Sequence, residues 1–191
     1  ASSYGFEGYM ADVHFIDGTA KQGSDFAETD SNGQWVPKEY TGSYGSNGFH
    51  LTFSDGNIDA TTFTDSSSNS LTVSGNGNIH HSELTEPFGT SSIAGDGTGD
   101  FLQVYGGSSL AFGTGDYTIE MWVNLSVLDS GIALYDGRDW GDYYGTQPTI
   151  FANESSIGDG SIWAAYGNGS ATSYIISEDA VFTVDTWHHV A

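Results

Sequence analysis

Residues 116–126 read DYTIEMWVNLS. Taken alternately, Tyr117, Ile119, Met121, Val123 and Leu125 fall on one side, and Thr118, Glu120, Trp122 and Asn124 on the other. Successive side chains of a strand point to opposite faces, so a period of two with one fully apolar side predicts a strand with one face in a core. No window of helical length carries apolar residues at i, i+3, i+4 and i+7.

Working outward, the same pattern recurs. YMADVHFID (Tyr9–Asp17) alternates Tyr9, Ala11, Val13 and Phe15 against Met10, Asp12, His14 and Ile16. Further strands are predicted at FHLTF (49–53), DFLQVYG (100–106), GIALYD (131–136), TIFAN (149–153), SIWAAYG (161–167), TSYIIS (172–177) and TWHHVA (186–191). In the last, Trp187 and His189 share one face, and His188 and Val190 the other. LTVSGNGNIHHS (71–82) is expected to be a hairpin turning at Asn76-Gly77. Glycine, at 27 residues, supplies the turns between such strands. Many short strands joined by Gly, Asn, Asp and Ser predict an all-β, antiparallel β-sandwich. Residues 17–48 are polar with scattered aromatics (Phe26, Trp35, Tyr40, Tyr44) and read as an ordered linker or small irregular module.

Charge narrows the partners. The chain has 25 Asp and Glu against 3 Lys and Arg, a net charge of −22. Such a surface repels phosphate backbones and anionic membranes, which excludes nucleic acid as a partner. No apolar run reaches the roughly 20 residues of a membrane-spanning helix, so no insertion into a membrane is expected. The absence of cysteine excludes disulfides, thiolate metal sites and a Cys nucleophile.

The usual catalytic motifs are missing: no GxSxG elbow, HExxH, P-loop or GxGxxG occurs. Glycosidases generally need two carboxylates about 5–10 Å apart. The clearest strand carries Glu120 alone, between Thr118 and Trp122 on its face, so the chain is not expected to be an enzyme. Neither His80-His81 nor His188-His189 can hold one ion between its own two rings, because neighbours on a strand point apart. Candidate metal ligands are Asp136, Asp139 and Asp142, and Asp96 and Asp100, acids in loops of the kind that supply oxygens to Ca²⁺. Candidate ligand-binding residues are Arg138, Trp140, Tyr143 and Tyr144. Flat aromatics beside acids suit a sugar, a neighbouring chain, or the domain's own core.

Several phrases, FGTSSI, DGTGDFL, FGTGDYTIEMWV and WHHVA, occur here in order between Phe63 and Ala191. This stretch resembles the concanavalin A-like, laminin G-like domains common in phage tail and other virion proteins. The segment GYMADVHFID through NGFHLTF resembles the end of a preceding module of that kind in virion proteins of marine phages. The resemblance implies a jelly-roll sandwich and two units: residues 1–56, an N-terminal strand plus linker module, and 57–191, the sandwich, lacking its closing strands after Ala191. Strand Gly8–Asp17 is expected to supply such a closing strand, in cis or in a neighbouring copy as a head-to-tail filament.

The resemblance also implies a non-enzymatic virion or appendage module for assembly and host-surface attachment, located on a virion or cell surface. Its partners would be copies of itself, other virion or surface proteins, or host glycans. The alternative is a calcium-dependent carbohydrate-binding module of a bacterial surface protein, and behind it a glycan-cleaving enzyme. Domains of this kind often carry Ca²⁺, but the resemblance maps no ligand residue onto this sequence.

Overall fold

The structure is a computed structural model that describes residues 5–54, 61–83, 91–106, 115–128, 131–138, 147–153, 160–167, 170–177 and 181–191. Strands form where the period of two predicts them: β1 (Glu7–Asp17), β4 (Phe49–Leu51), β5 (Thr72–Asn76), β6 (His80–Ser82), β8 (Phe101–Tyr105), β9 (Tyr117–Leu125), β10 (Ile132–Asp136), β11 (Pro148–Ala152), β12 (Ile162–Gly167), β13 (Thr172–Ile176) and β14 (Trp187–Val190); β7 (Ser92–Asp96) is a strand the sequence pattern did not predict. Two short strands, β2 (Ala27–Thr29) and β3 (Trp35–Pro37), make a small separate hairpin.

A six-stranded antiparallel sheet runs β14-β9-β1-β7-β6, with β4 also paired to β1. The second layer consists of a four-stranded sheet, β10-β11-β12-β13, and the pair β5-β8. The layers close on one core. Ile119, Met121, Val123 and Leu125 of β9 pack there with Val13 and Phe15 of β1, Ile132 and Leu134 of β10, and Ala152 of β11. The apolar side of β9 is therefore the side predicted. Residues on both sides of position 56 share this sheet and this core.

Strand β1 lies in cis between β9 on one edge and β7 and β4 on the other. Its alternation is not the regular one expected. The register against β9 shifts between Ala11 and His14, and Asp12 sits at φ 48°. One extra residue in a strand forms a bulge and switches which side chains face which way. Met10 thus points to the core ahead of the bulge, and Val13 and Phe15 after it. Ala11 and Ile16 pack on the opposite face.

The 71–82 hairpin is also corrected. β5 pairs with β8 and β6 with β7, so the Gly77 turn carries the chain from one layer to the other. Asp100 holds that corner, its carboxylate accepting from the backbone N–H of Asn78 and of Asp96. An aspartate that binds turn amides competes with direct hairpin closure.

Residues 18–48 form a strap over the outer face of the six-stranded sheet. Ala27 joins Ala11, Trp122 and Trp187 there, while Phe26, Tyr40 and Tyr44 pack around Ile16. The polar side of β9 is consequently buried as well, with Thr118, Glu120, Trp122 and Asn124 all inaccessible.

Close approach of β1 to β9 requires glycine at position 8. Gly8 has φ 143°, and a Cβ there would sit 2.2 Å from the Asn124 carbonyl oxygen. Gly8→Ala is expected to lower stability by about 3 kcal/mol or more, from backbone strain plus overlap. Gly33→Ala, at φ 82° with open space around it, should cost only about 1–2 kcal/mol. Chemical denaturation of the two variants side by side measures the difference.

Candidate functional site

Three side chains line up across the outer face of the large sheet. His14 of β1 is paired in register with His50 of β4 on one side and Glu120 of β9 on the other. Residues opposite each other on one sheet face lie in contact. The His14 and His50 rings accordingly stack with centroids 4.0 Å apart. Asp12, at the bulge, brings its carboxylate onto the same row, with Oδ1 2.7 Å from His50 Nε2 and 3.3 Å from His14 Nε2. On the far side, His14 Nε2 lies 3.5 Å from Glu120 Oε2.

His189 of β14 extends the group. Its Nε2 is 2.5 Å from Glu120 Oε1, and its ring stacks on Trp122 at 4.8 Å. Trp35 Nε1 donates to His189 Nδ1 at 3.2 Å. Indole N–H only donates, so Nδ1 is the accepting nitrogen and Nε2 carries the proton given to Glu120. His14 Nδ1 meets the Tyr44 hydroxyl at 2.9 Å. Phe26 and Tyr40 complete the cover over His14.

Burial sets the charges. Glu120 is 0% exposed, and that desolvation, with the charge of Asp12, pushes its carboxyl up to about 10. Burial also raises Asp12, but its contacts with His14 and His50 outweigh this and hold it well below the usual carboxylate range. Desolvation lowers His14, and it lowers His189 to about 4 with help from the charge on His14. Two carboxylates either side of one imidazole are thus driven in opposite directions.

Of the residues singled out from sequence, Asp136 and Arg138 are brought together. Arg138 Nε and one terminal nitrogen donate to the two Asp136 oxygens at 2.9 and 2.8 Å, with the guanidinium over the Phe151 ring. Asp96 and Asp100 also meet. Asp96 oxygens accept from Asn78 Nδ2 and Thr98 N, and Asp100 oxygens from two backbone amides. These carboxylates accept from donors within their own loops or from Arg138. Asp139, Trp140, Asp142, Tyr143 and Tyr144 lie outside the described residues.

The sequence reading missed the group formed by Asp12, His14, His50, Glu120 and His189. Its one local signal is the Asp-Val-His spacing of residues 12–14, which puts an acid and an imidazole side by side on a strand. The twin histidines 188 and 189 do point apart, as expected, and His189 is the one that faces Glu120. Of the other pair, His81 is buried with both ring nitrogens against the carbonyls of Phe53 and Thr62.

The family model of the Concanavalin A-like lectin/glucanases superfamily, in its laminin G type, matches residues 96–191, half of the chain. The chain belongs to this superfamily. Neither the curated proteins nor the solved structures contain a match. Within this concanavalin A-like sandwich, β8 to β14 fall inside the matched range. The strand that carries Asp12 and His14 lies outside it and still occupies the middle of the sheet.

The strap is held by few, large contacts. Phe26, fully buried against Ile16, Tyr44 and His14, is the deepest of them. Phe26→Ala is expected to destabilise the concanavalin A-like domain by about 3–5 kcal/mol in thermal or chemical unfolding. Limited proteolysis of this variant should cut first within residues 18–48.

Proposed function

We propose that the protein is a non-catalytic adhesion module of a virion or surface appendage, binding glycans on a host surface and packing against copies of itself or other surface proteins. The observation that carries this reading is an aromatic row on the outer face of the four-stranded sheet. Phe151, Trp163 and Tyr174 follow one another across β11, β12 and β13 with ring centroids 5.3 and 6.3 Å apart. Tyr174 is 61% exposed and Trp163 half-buried, while Phe151 is buried at the end where the Asp136–Arg138 pair lies. Flat rings receive the CH faces of sugars, and a nearby acid–guanidinium pair offers acceptors and donors to hydroxyls. Membership of a superfamily of lectins and glucanases agrees with a sugar or adhesion role.

Cleavage is the second reading, and one observation favours it. Asp12 and Glu120 flank His14 with their carboxyl groups pushed apart in acidity, the division of labour a glycosidase uses. Against it, Glu120 has no exposure beneath the strap, so a polysaccharide has no route to that carboxyl.

A glycan array run with and without Ca²⁺, together with a reducing-sugar assay, separates the readings. Binding without sugar release, lost in Tyr174→Ala and Trp163→Ala, is the expected result. Loss of binding on chelation would favour the calcium-dependent lectin form. Sugar release abolished by Glu120→Gln would overturn the non-catalytic reading.

A further inference from the structure

The row His50–His14–Glu120 contains two atoms that the protein's own hydrogen bonds leave unserved. His14 Nε2 and Glu120 Oε2 are fully buried and face each other at 3.5 Å, and neither has a hydrogen-bond partner. Buried polar atoms in native proteins are almost always paired, and the space between these two has room for a further partner. The tautomer favours one kind of partner. The Tyr44 oxygen can accept a proton from His14 Nδ1, and in that tautomer Nε2 presents a lone pair. Asp12 Oδ1 presents others 3.3 Å away, and the donor atoms of Asp12, His14 and His50 all fall within 4.8 Å of one another.

We propose that Asp12, His14 and His50 bind a divalent transition-metal ion of the zinc class, with its remaining coordination position facing Glu120 Oε2. Zinc holds imidazole nitrogen and carboxylate oxygen at about 2.0–2.2 Å, which sets neighbouring donors of a tetrahedral shell about 3.4 Å apart. The His14–Asp12 and His14–Glu120 separations, 3.3 and 3.5 Å, already match that spacing. The 2.7 Å contact between His50 and Asp12 opens when His50 Nε2 gives up its proton to the solvent as the ion enters. Two imidazoles with carboxylate select zinc and its neighbours over Ca²⁺, which takes an all-oxygen shell. Tyr44 on His14 Nδ1 is the outer partner that fixes the ligating nitrogen. The Asp12 carboxylate supplies compensating charge. Because the ligands come from β1 and β4 and Glu120 from β9, the ion ties three strands together beneath the strap. This site is independent of the adhesion reading, since it lies on the opposite layer of the sandwich from the aromatic row.

The test uses the full chain stripped with a chelator and titrated with Zn²⁺ by calorimetry, and with Co²⁺ by visible absorption. Expected are one zinc per chain, a Co²⁺ spectrum of tetrahedral intensity with nitrogen ligation, and a raised melting temperature with zinc. His50→Gln, the more exposed of the two imidazoles, and Asp12→Asn should each weaken zinc binding at least about tenfold, while His80→Gln on another part of the sheet leaves it unchanged. Folded, stripped protein that takes up no zinc would overturn the assignment. So would zinc binding that survives both substitutions at full strength, or Ca²⁺ competing equally for the same site. If either variant fails to fold, the wild-type titration and Co²⁺ spectrum still decide.

Discussion

Strand β1 is bonded along both edges and packed on both faces, and the rest of the molecule is arranged around that fact. Its ladder with β9 runs from Gly8 to Asp17, and β7 and β4 share the other edge. A strand in that position must serve two apolar environments, the sandwich core and the strap. Without the bulge at Asp12 a strict period of two would place Val13 and Phe15 on the same face as Ala11. The inserted residue lets the inner face take Met10, Val13 and Phe15, and gives the strap Ala11, His14 and Ile16. A single backbone irregularity therefore determines both how the core is filled and which polar side chains meet on the outside.

The strap turns what would be a solvated sheet face into a low-dielectric layer, and the cluster's chemistry follows. In water Glu120 and Asp12 would both be ionised. Beneath Trp35, Phe26, Tyr40 and Tyr44 one is driven toward the neutral acid and the other held as an anion, because Asp12 keeps two histidines and partial exposure while Glu120 is sealed in. The same cover that makes a cation favourable beside Asp12 keeps any large substrate away. A site that can hold an ion but admits no polymer is structural in its effect, joining the strap's floor across three strands.

How much of this was legible in the sequence depended on the range of the interaction. The period of two in β9 revealed its core face, because that pattern is local and repeated from Ile119 to Leu125, with Tyr117 at the strand's start left exposed. The face assignment of β14 followed from the same rule, with Val190 in the core and His189 outside. The bulge was not legible, since one shifted residue in an aspartate-containing strand leaves no compositional mark. The 71–82 turn misled because Asn-Gly reports a tight turn, whereas pairing partners are chosen by Asp100 and the sheets around it. The strap hid for a further reason. Phe26, Trp35, Tyr40 and Tyr44 are spaced irregularly, as covering loops are, so no period betrays that they share one surface. The site itself joins positions as distant as His14 and Glu120, a relation that no reading of neighbouring residues contains.

The two outer faces of the sandwich thus have different physical characters, and the charge distribution sharpens the contrast. All three cations of the chain are engaged: Lys21 lies over the Tyr40 ring, Lys38 donates to the Ser24 carbonyl, and Arg138 is held bidentately by Asp136. At the aromatic row Arg138 is already paired with Asp136, and the acidic surface as a whole repels an anionic ligand. If the row is a sugar platform, it is therefore suited to neutral glycans, gripped by ring stacking and hydroxyl hydrogen bonds. Acidic polysaccharides would meet both the net charge of −22 and an arginine already ion-paired with Asp136. The features that make one face a sealed, cation-seeking layer leave the other dependent on aromatic surface for whatever it recognises.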